Sequence, residues 1–90
     1  MKLNKRQRKT IEKIYEKPTR ADIAWTDILT LFRACGAQMV QREGSRVCIK
    51  LGSQRAVFHA PHPHKETVKG AIEDLREFLK NAGIFPEGRE

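Results

Sequence analysis

Two short alternating segments separated by a two-residue turn constrain the fold most. Residues 46–51 and 55–60 each alternate between apolar side chains and other side chains, which is the period of a half-buried β-strand. Gly52-Ser53 lies between them and is a Gly-X pair typical of a tight hairpin turn. The pattern therefore predicts a β-hairpin whose polar face carries Arg46, Lys50, Arg55 and His59.

A third strand is predicted before this hairpin. Residues 37–43 alternate loosely, and Gly44-Ser45 provides a turn into the hairpin. Pro61 and Pro63 end the sheet, because proline has no N–H to donate to a strand ladder. Three short antiparallel strands joined by tight turns are therefore expected in the middle of the chain.

Helical periodicity predicts helices on both sides of these strands. Apolar residues recur at helical spacing in residues 3–16 and in residues 25–35, with residues 18–24 as a linker between them. The last helix is predicted from Lys65 or Glu66 to Asn81. Its apolar stripe comprises Val68, Ile72, Leu75, Leu79 and Ala82.

The order of these elements predicts an α+β fold. It is a three-stranded antiparallel sheet with helices on one face, arranged α-β-β-β-α like a double-stranded-RNA-binding domain, plus an extra N-terminal helix. We expect a basic N-terminal helical extension over residues 1–20 and an α/β domain over residues 21–90. The N-terminal helix has three interpretations: packing on the domain, binding RNA, or contacting another protein or a second copy.

The charge of the chain indicates a polyanionic partner. The net charge is +7, and it is concentrated in residues 1–20 and 33–65, whereas residues 66–90 are net acidic. No stretch resembles a secretory signal or a membrane span, so we expect a cytoplasmic protein. Cys35 and Cys48 are far apart and outside any C-x-x-C motif, and we expect them to be small buried residues.

All three histidines fall within one basic segment. His59, His62 and His64 are spaced H-x-x-H-x-H, with Lys65 directly after them. Imidazole titrates near neutral pH, so His59 and His62 are candidates for proton transfer in phosphodiester cleavage, with Arg46 or Lys50 stabilising the phosphorane. Lys65 and Lys69 are candidate phosphate ligands beside the last helix.

Three alternatives to this chemistry stay open. The segment binds RNA without cutting it, or the histidines are solvated loop residues, or the three imidazoles hold a metal ion. The metal alternative is the weakest, because the prolines stiffen the spacing and no cysteine or aspartate stands nearby in sequence. Trp25 and Phe32 share the apolar face of a helix, so we assign them to the core and not to base stacking.

Several ordered motifs resemble the HicA toxins, small ribonucleases of toxin–antitoxin pairs. The resemblance spans about residues 22–85. It rests on a helix ending LFRACGA, the Gly44-Ser45 turn, a strand ending VFHAPHP, and the helix VKGAIEDLREFLKNAGI. It implies an α-β-β-β-α fold and cleavage of messenger RNA without a metal or other cofactor.

The resemblance also implies partners and site residues. A HicB-type antitoxin would inhibit the protein, and a homodimer is left open. In the family the active histidine directly follows Gly-Ser on the second strand, whereas here Arg46 and Val47 follow Ser45. The expected RNA-binding residues are Gly44, Ser45, Arg46, Lys50, Arg55, His64, Lys65 and Lys69, with His59 and His62 as the catalytic pair. The alternative is a catalytically silent RNA-binding or protein-interaction domain of the same fold.

Overall fold

A computed structural model describes residues 2–61 and 65–86. Its three helices and five strands confirm the predicted α+β class. In chain order they are α1 (Lys5–Tyr15), β1 (Ile23–Ala24), α2 (Trp25–Ala34), β2 (Gln38–Gln41), β3 (Arg46–Leu51), β4 (Gln54–His59), β5 (Glu66–Thr67) and α3 (Lys69–Asn81). The three middle strands form an antiparallel sheet in the order β2-β3-β4, and β1 pairs with β5 in a separate two-stranded ladder.

The β3–β4 hairpin forms where the alternation predicts it. Leu51 pairs with Gln54 across the two-residue turn Gly52-Ser53. Gly52 has a φ of 61° and no other residue type in the described chain has a positive φ, which fits a type II′ turn with glycine first. This turn follows the right-handed twist of the strands and fixes the register of the hairpin.

One face of the three-stranded sheet packs against the helices. Val47, Ile49, Leu51 and Phe58 from this face lie in a single buried cluster. The helices add the following residues to it: Ile11, Ile14, Tyr15, Trp25, Ile28, Leu31, Phe32, Ile72, Leu75, Phe78 and Leu79. Trp25 and Phe32 are 3% and 0% exposed, which confirms their assignment to the core. None of the helices that the structure describes packs on the opposite face of the sheet.

Helix α1 belongs to this core. Asn4 and Gln7 form a reciprocal capping box that begins the helix, and Ile11 and Ile14 are buried against the other helices. Of the three interpretations of the basic N-terminal helix, packing on the domain is therefore confirmed. Among the described residues, no helix has the length and apolarity that crossing a membrane requires.

Two sequence-based predictions about the chain around α3 are wrong. Residues 18–24 do not form a plain linker, because Ile23 and Ala24 pair with Thr67 and Glu66 in the β1–β5 ladder. Helix α3 begins at Lys69, not at Lys65 or Glu66, because Glu66 and Thr67 are extended in β5. Val68 is the N-cap residue and is 70% exposed, so it does not belong to the apolar stripe.

Candidate nucleic-acid interface

A row of three basic side chains crosses one end of the open sheet face. The backbone N–H of Arg42 donates to the carbonyl oxygen of Arg46 at 2.8 Å, so Arg42 extends the β2–β3 pairing past the end of β2. Arg46 in turn is the cross-strand partner of His59 on β4. All three residues are exposed. We call Arg42, Arg46 and His59 the first row.

Arg46 and His59 are closer than an average cross-strand pair. The N–H of Ala60 donates to the carbonyl oxygen of Ser45, so Ser45 and Ala60 exchange the ladder hydrogen bond. Hydrogen-bonded and non-hydrogen-bonded pairs alternate along an antiparallel ladder, which makes Arg46 and His59 a non-hydrogen-bonded pair. Their Cβ atoms are therefore about 4.5–5.5 Å apart. The side chains of Arg46 and His59 thus leave the backbone next to each other on the solvent face.

Two further rows complete the open face. Val40, Cys48 and Val57 form the second row, and Gln38, Lys50 and Arg55 form the third. Val40 and Val57 are 53% and 55% exposed, and between them they cover Cys48, which is only 6% exposed. Adjacent rows are two residues apart along the strands, so the first and third rows are about 13 Å apart. The register thus gathers Arg46, Lys50, Arg55 and His59 on one face, as the alternation predicts.

The cations of this face are not neutralised by the described part of the protein. No carboxylate there forms an ion pair with Arg42, Arg46, Lys50 or Arg55, and the Arg46 side chain donates only to the backbone oxygen of Glu43 at 3.4 Å.

Ion pairs are formed elsewhere in the molecule. Arg6 contacts Asp27 at 2.9 Å, and Arg20 contacts Glu16 and Asp22 at 3.0 and 2.7 Å. Hydrogen bonding from the Arg20 guanidinium lowers the pKa of Asp22 to about 2. The acidic side chains of these segments are therefore engaged away from the open face, whose cations stay available to an external anion.

The turn before β3 borders a cleft at the first-row end of the sheet. Gly44, with a φ of 70°, and Ser45 line this cleft of about 330 Å³. Its other lining residues are Trp25, Leu29, Gln41, Ala60 and Pro61. Gly44 and Ser45 therefore lie beside the first row, at the same end of the sheet.

The remaining predicted residues are not gathered on this face. Lys65 precedes β5, and its carbonyl oxygen accepts a hydrogen bond from the N–H of Trp25 at 3.1 Å. Lys69 is the first residue of α3. Both are exposed, but they flank the β1–β5 ladder and not the three-stranded sheet. His62 and His64 lie outside the described residues.

Sequence reasoning missed Arg42. The loose alternation of residues 37–43 gave no clear end for the strand, so the side of the sheet on which Arg42 falls was undefined. The signal that identifies it is the single hydrogen bond to Arg46, which is a tertiary contact. As for metals, residues 2–61 and 65–86 contain no group of three His, Cys, Asp or Glu side chains arranged to hold an ion.

This geometry can bind a phosphate and exchange a proton beside it. Two guanidinium groups donate several hydrogen bonds to phosphate oxygens, and an adjacent imidazole can accept or donate a proton. The apolar second row separates this cluster from a second cationic cluster, so a strand with several phosphates could contact both.

Comparisons with known proteins place the chain in one family. Searches of the curated proteins and of the solved structures gave no significant match. A family model, that of the HicA toxin of bacterial toxin–antitoxin pairs, matches residues 25–84, which run from the start of α2 to just beyond α3. The matched region contains the whole three-stranded sheet, the Gly44-Ser45 turn and the first row. The chain therefore belongs to the HicA toxin family.

Proposed function

We propose that this protein is a toxin that cleaves messenger RNA without a metal ion and is inhibited by a HicB-type antitoxin. HicA proteins are ribonucleases as a family. By the sequence resemblance, Arg46 stands at the position after Gly44-Ser45 where we expect a histidine. The observation that carries the proposal is the pairing of Arg46 with His59. This pairing supports the proposal because it puts an imidazole one strand away from Arg46, which stands where the resemblance leads us to expect a histidine.

In the proposed reaction, histidines transfer the protons and arginines bind the phosphate. His59 accepts the proton of the ribose 2′-hydroxyl, whose oxygen attacks the adjacent phosphorus. Arg46 and Arg42 bind the non-bridging oxygens and stabilise the additional negative charge of the phosphorane. The bond to the 5′-oxygen then breaks, and this oxygen receives a proton from His62. The products are a 2′,3′-cyclic phosphate and a free 5′-hydroxyl group.

Binding of the RNA would involve the whole open face. Lys50 and Arg55 in the third row contact a second phosphate of the same strand, while Gly44 and Ser45 border the cleaved one. His64, Lys65 and Lys69 add further phosphate contacts. The antitoxin would inhibit by covering this cationic face with acidic side chains. Messenger RNA as the substrate implies that the toxin acts in the cytoplasm.

The test is cleavage by the purified protein, free of antitoxin, of a long messenger RNA. We expect fragments that end in 2′,3′-cyclic phosphates, and the same fragments in the presence of EDTA. His59→Ala should slow cleavage by about a hundredfold or more, because general acid–base groups contribute about 10²–10⁴. Arg46→Ala should also slow it by about a hundredfold or more, because a donor that stabilises the charge of the transition state contributes about 10²–10³. Arg33→Ala is the matched control, since Arg33 is exposed on α2 away from the open face. Intact RNA after prolonged incubation with the unaltered protein would contradict the proposal.

A second function is favoured by one observation, the arginine at position 46. Arginine stays protonated near neutral pH and cannot serve as a proton shuttle, but it binds phosphate well. The second candidate is therefore a HicA-type protein that binds RNA without cutting it, or acts through a protein partner. It predicts that the protein binds RNA in low salt and that the RNA is recovered uncut. His59→Ala should then change the affinity for RNA, with no cleavage by either protein.

A further inference from the structure

Strand β4 pairs on one side of its backbone with no strand that the structure describes. It is an edge strand whose partner in the sheet is β3. The Leu51–Gln54 pair closes the two-residue turn and Ala60 bonds to Ser45, so the even-numbered residues of β4 face β3. The N–H and C=O groups of Arg55 and Val57 therefore point outward. No backbone group of the described residues bonds to them.

A groove runs between this edge and helix α3. Its volume is about 320 Å³, and its floor includes Ala56, Phe58 and Phe78. The two phenylalanine rings meet edge to face, with centroids 5.8 Å apart and an interplanar angle of 88°. Both residues are largely buried, at 7% and 6% exposure, so the floor of the groove is an apolar surface held in place by the core.

The outer wall of the groove, on its α3 side, is acidic, whereas Arg55 lines the groove from β4. Asp74 and Glu77 line it from α3, and they lie three positions apart, on one side of the helix. Both are exposed, and neither forms an ion pair with any residue that the structure describes. Their neighbour Glu73 differs, since it accepts a hydrogen bond from Thr19 at 3.3 Å. On a protein of net charge +7, this wall is a local site for positive charge.

We propose that an extended segment of a partner protein, with basic side chains at alternate positions, adds to β4 as a fourth antiparallel strand. Its backbone bonds to the outward groups of Arg55 and Val57, which is the recognition mode of β-strand addition. The residues opposite Ala56 and Phe58 point into the groove. Lysine or arginine suits these positions, because its aliphatic stem covers the phenylalanine floor while its charge reaches Asp74 and Glu77. The residue between them packs on Val57.

The negative charge of Asp74 and Glu77 favours a basic segment of a partner protein over a second copy of the chain. A two-fold dimer through β4 would bring the same surface of both copies together. The acidic wall of one copy would then face the acidic wall of the other, with like charges opposed. A basic segment from another protein has the complementary charge. The proposal goes beyond the proposed function, and it holds whether or not the first row cleaves RNA.

The probe is a capped peptide in which lysine alternates with valine, titrated into the isotopically labelled protein and followed by NMR. We expect the amide signals of Arg55 and Val57 to shift and their hydrogen exchange to slow. The control peptide carries N-methyl groups on its valines, whose N–H groups would otherwise bond to β4. It should leave both signals unchanged. A peptide with glutamate in place of lysine should also fail to bind.

The acidic wall is tested by Asp74→Asn combined with Glu77→Gln. Exposed ion pairs contribute about 0.5 kcal/mol each, so we expect about fivefold weaker binding of the lysine peptide. Glu12→Gln is the matched control, because Glu12 is exposed on α1 and lies outside the groove, and it should not change binding. The proposal would be overturned if no amide signal shifted at the highest peptide concentration, or if only the amide signals of the first row shifted. It would also be overturned if sedimentation showed a dimer that Val57→Lys dissociates.

Discussion

Arg76 of α3 donates from Nε to the carbonyl oxygen of Ile14, the penultimate residue of α1, at 2.8 Å. Its Nη2 donates to the carbonyl oxygen of Glu16 and to the hydroxyl of Thr19, both at 3.1 Å. Arg76 is 8% exposed. One buried guanidinium thus satisfies backbone oxygens at the end of α1, where a helix has no partners of its own for them. It joins the two terminal helices of the fold.

Replacing this guanidinium should destabilise the protein. In Arg76→Met the aliphatic stem is retained, but two carbonyl oxygens and a hydroxyl lose their donor. Because hydrogen bonds to charged groups contribute about 1.5–3 kcal/mol, we expect the free energy of unfolding to fall by about 2–4 kcal/mol. Urea unfolding followed by circular dichroism measures it. Lys80→Met, an exposed change on the same helix, is the control and should change stability by less than about 0.5 kcal/mol.

The phenol of Tyr15 should make the stability fall at alkaline pH. Its hydroxyl donates to the carbonyl oxygen of Ile84, and burial raises its pKa to about 12, although the nearby positive charge of Arg76 lowers it in part. An unfolded tyrosine ionises near 10. The contribution of the protonated Tyr15 phenol to the free energy of unfolding is therefore complete below a pH of about 10. It is lost as the pH rises towards about 12.

Comparison with Tyr15→Phe isolates this effect from the titration of the lysines. Urea unfolding of both proteins at several pH values above 9 should show the difference in stability shrinking as pH rises. A difference that stays constant over that range would mean that the folded and unfolded states bind the phenolic proton equally well.

Helix α1 should contribute to stability as a core element. Ile14 is fully buried in the cluster shared by all three helices, so Ile14→Ala leaves a cavity. We expect a loss of about 2–5 kcal/mol in the free energy of unfolding. Glu12→Ala on the exposed side of the same helix should change it by less than about 0.5 kcal/mol. Equal effects of the two changes would show that α1 is not part of the cooperative unit.

Arg42 should contact one phosphate of bound RNA. Each contact with a single strand contributes about 0.7 to the slope of log affinity against log salt concentration. Arg42→Gln should therefore reduce the slope for single-stranded RNA by about 0.7 and weaken binding similarly for all sequences. Fluorescence anisotropy at several salt concentrations measures both, with Arg33→Gln as the control. A slope unchanged from that of the unaltered protein would remove Arg42 from the interface.

The sequence predicts well what depends on local periodicity. The alternation of residues 46–51 identifies β3 as the structure has it. The gathering of Arg46, Lys50, Arg55 and His59 on one face follows from the same alternation once the two-residue turn fixes the register.

What the sequence could not predict depends on contacts between distant segments. The β1–β5 ladder joins Ile23 to Thr67, and strands of two residues are too short to show a period. That ladder keeps Glu66 extended, which explains why α3 starts later than predicted. Arg42 could not be assigned to the first row for the same reason, since its side of the sheet is set by pairing with Arg46.

The contact between Ile14 and Arg76 also has a consequence for synthesis on the ribosome. These residues are 62 positions apart in the sequence, and the core that they join includes all three helices. The apolar side of α1 is made before its partners in α3. The nascent chain therefore cannot complete this core until α3 has left the exit tunnel.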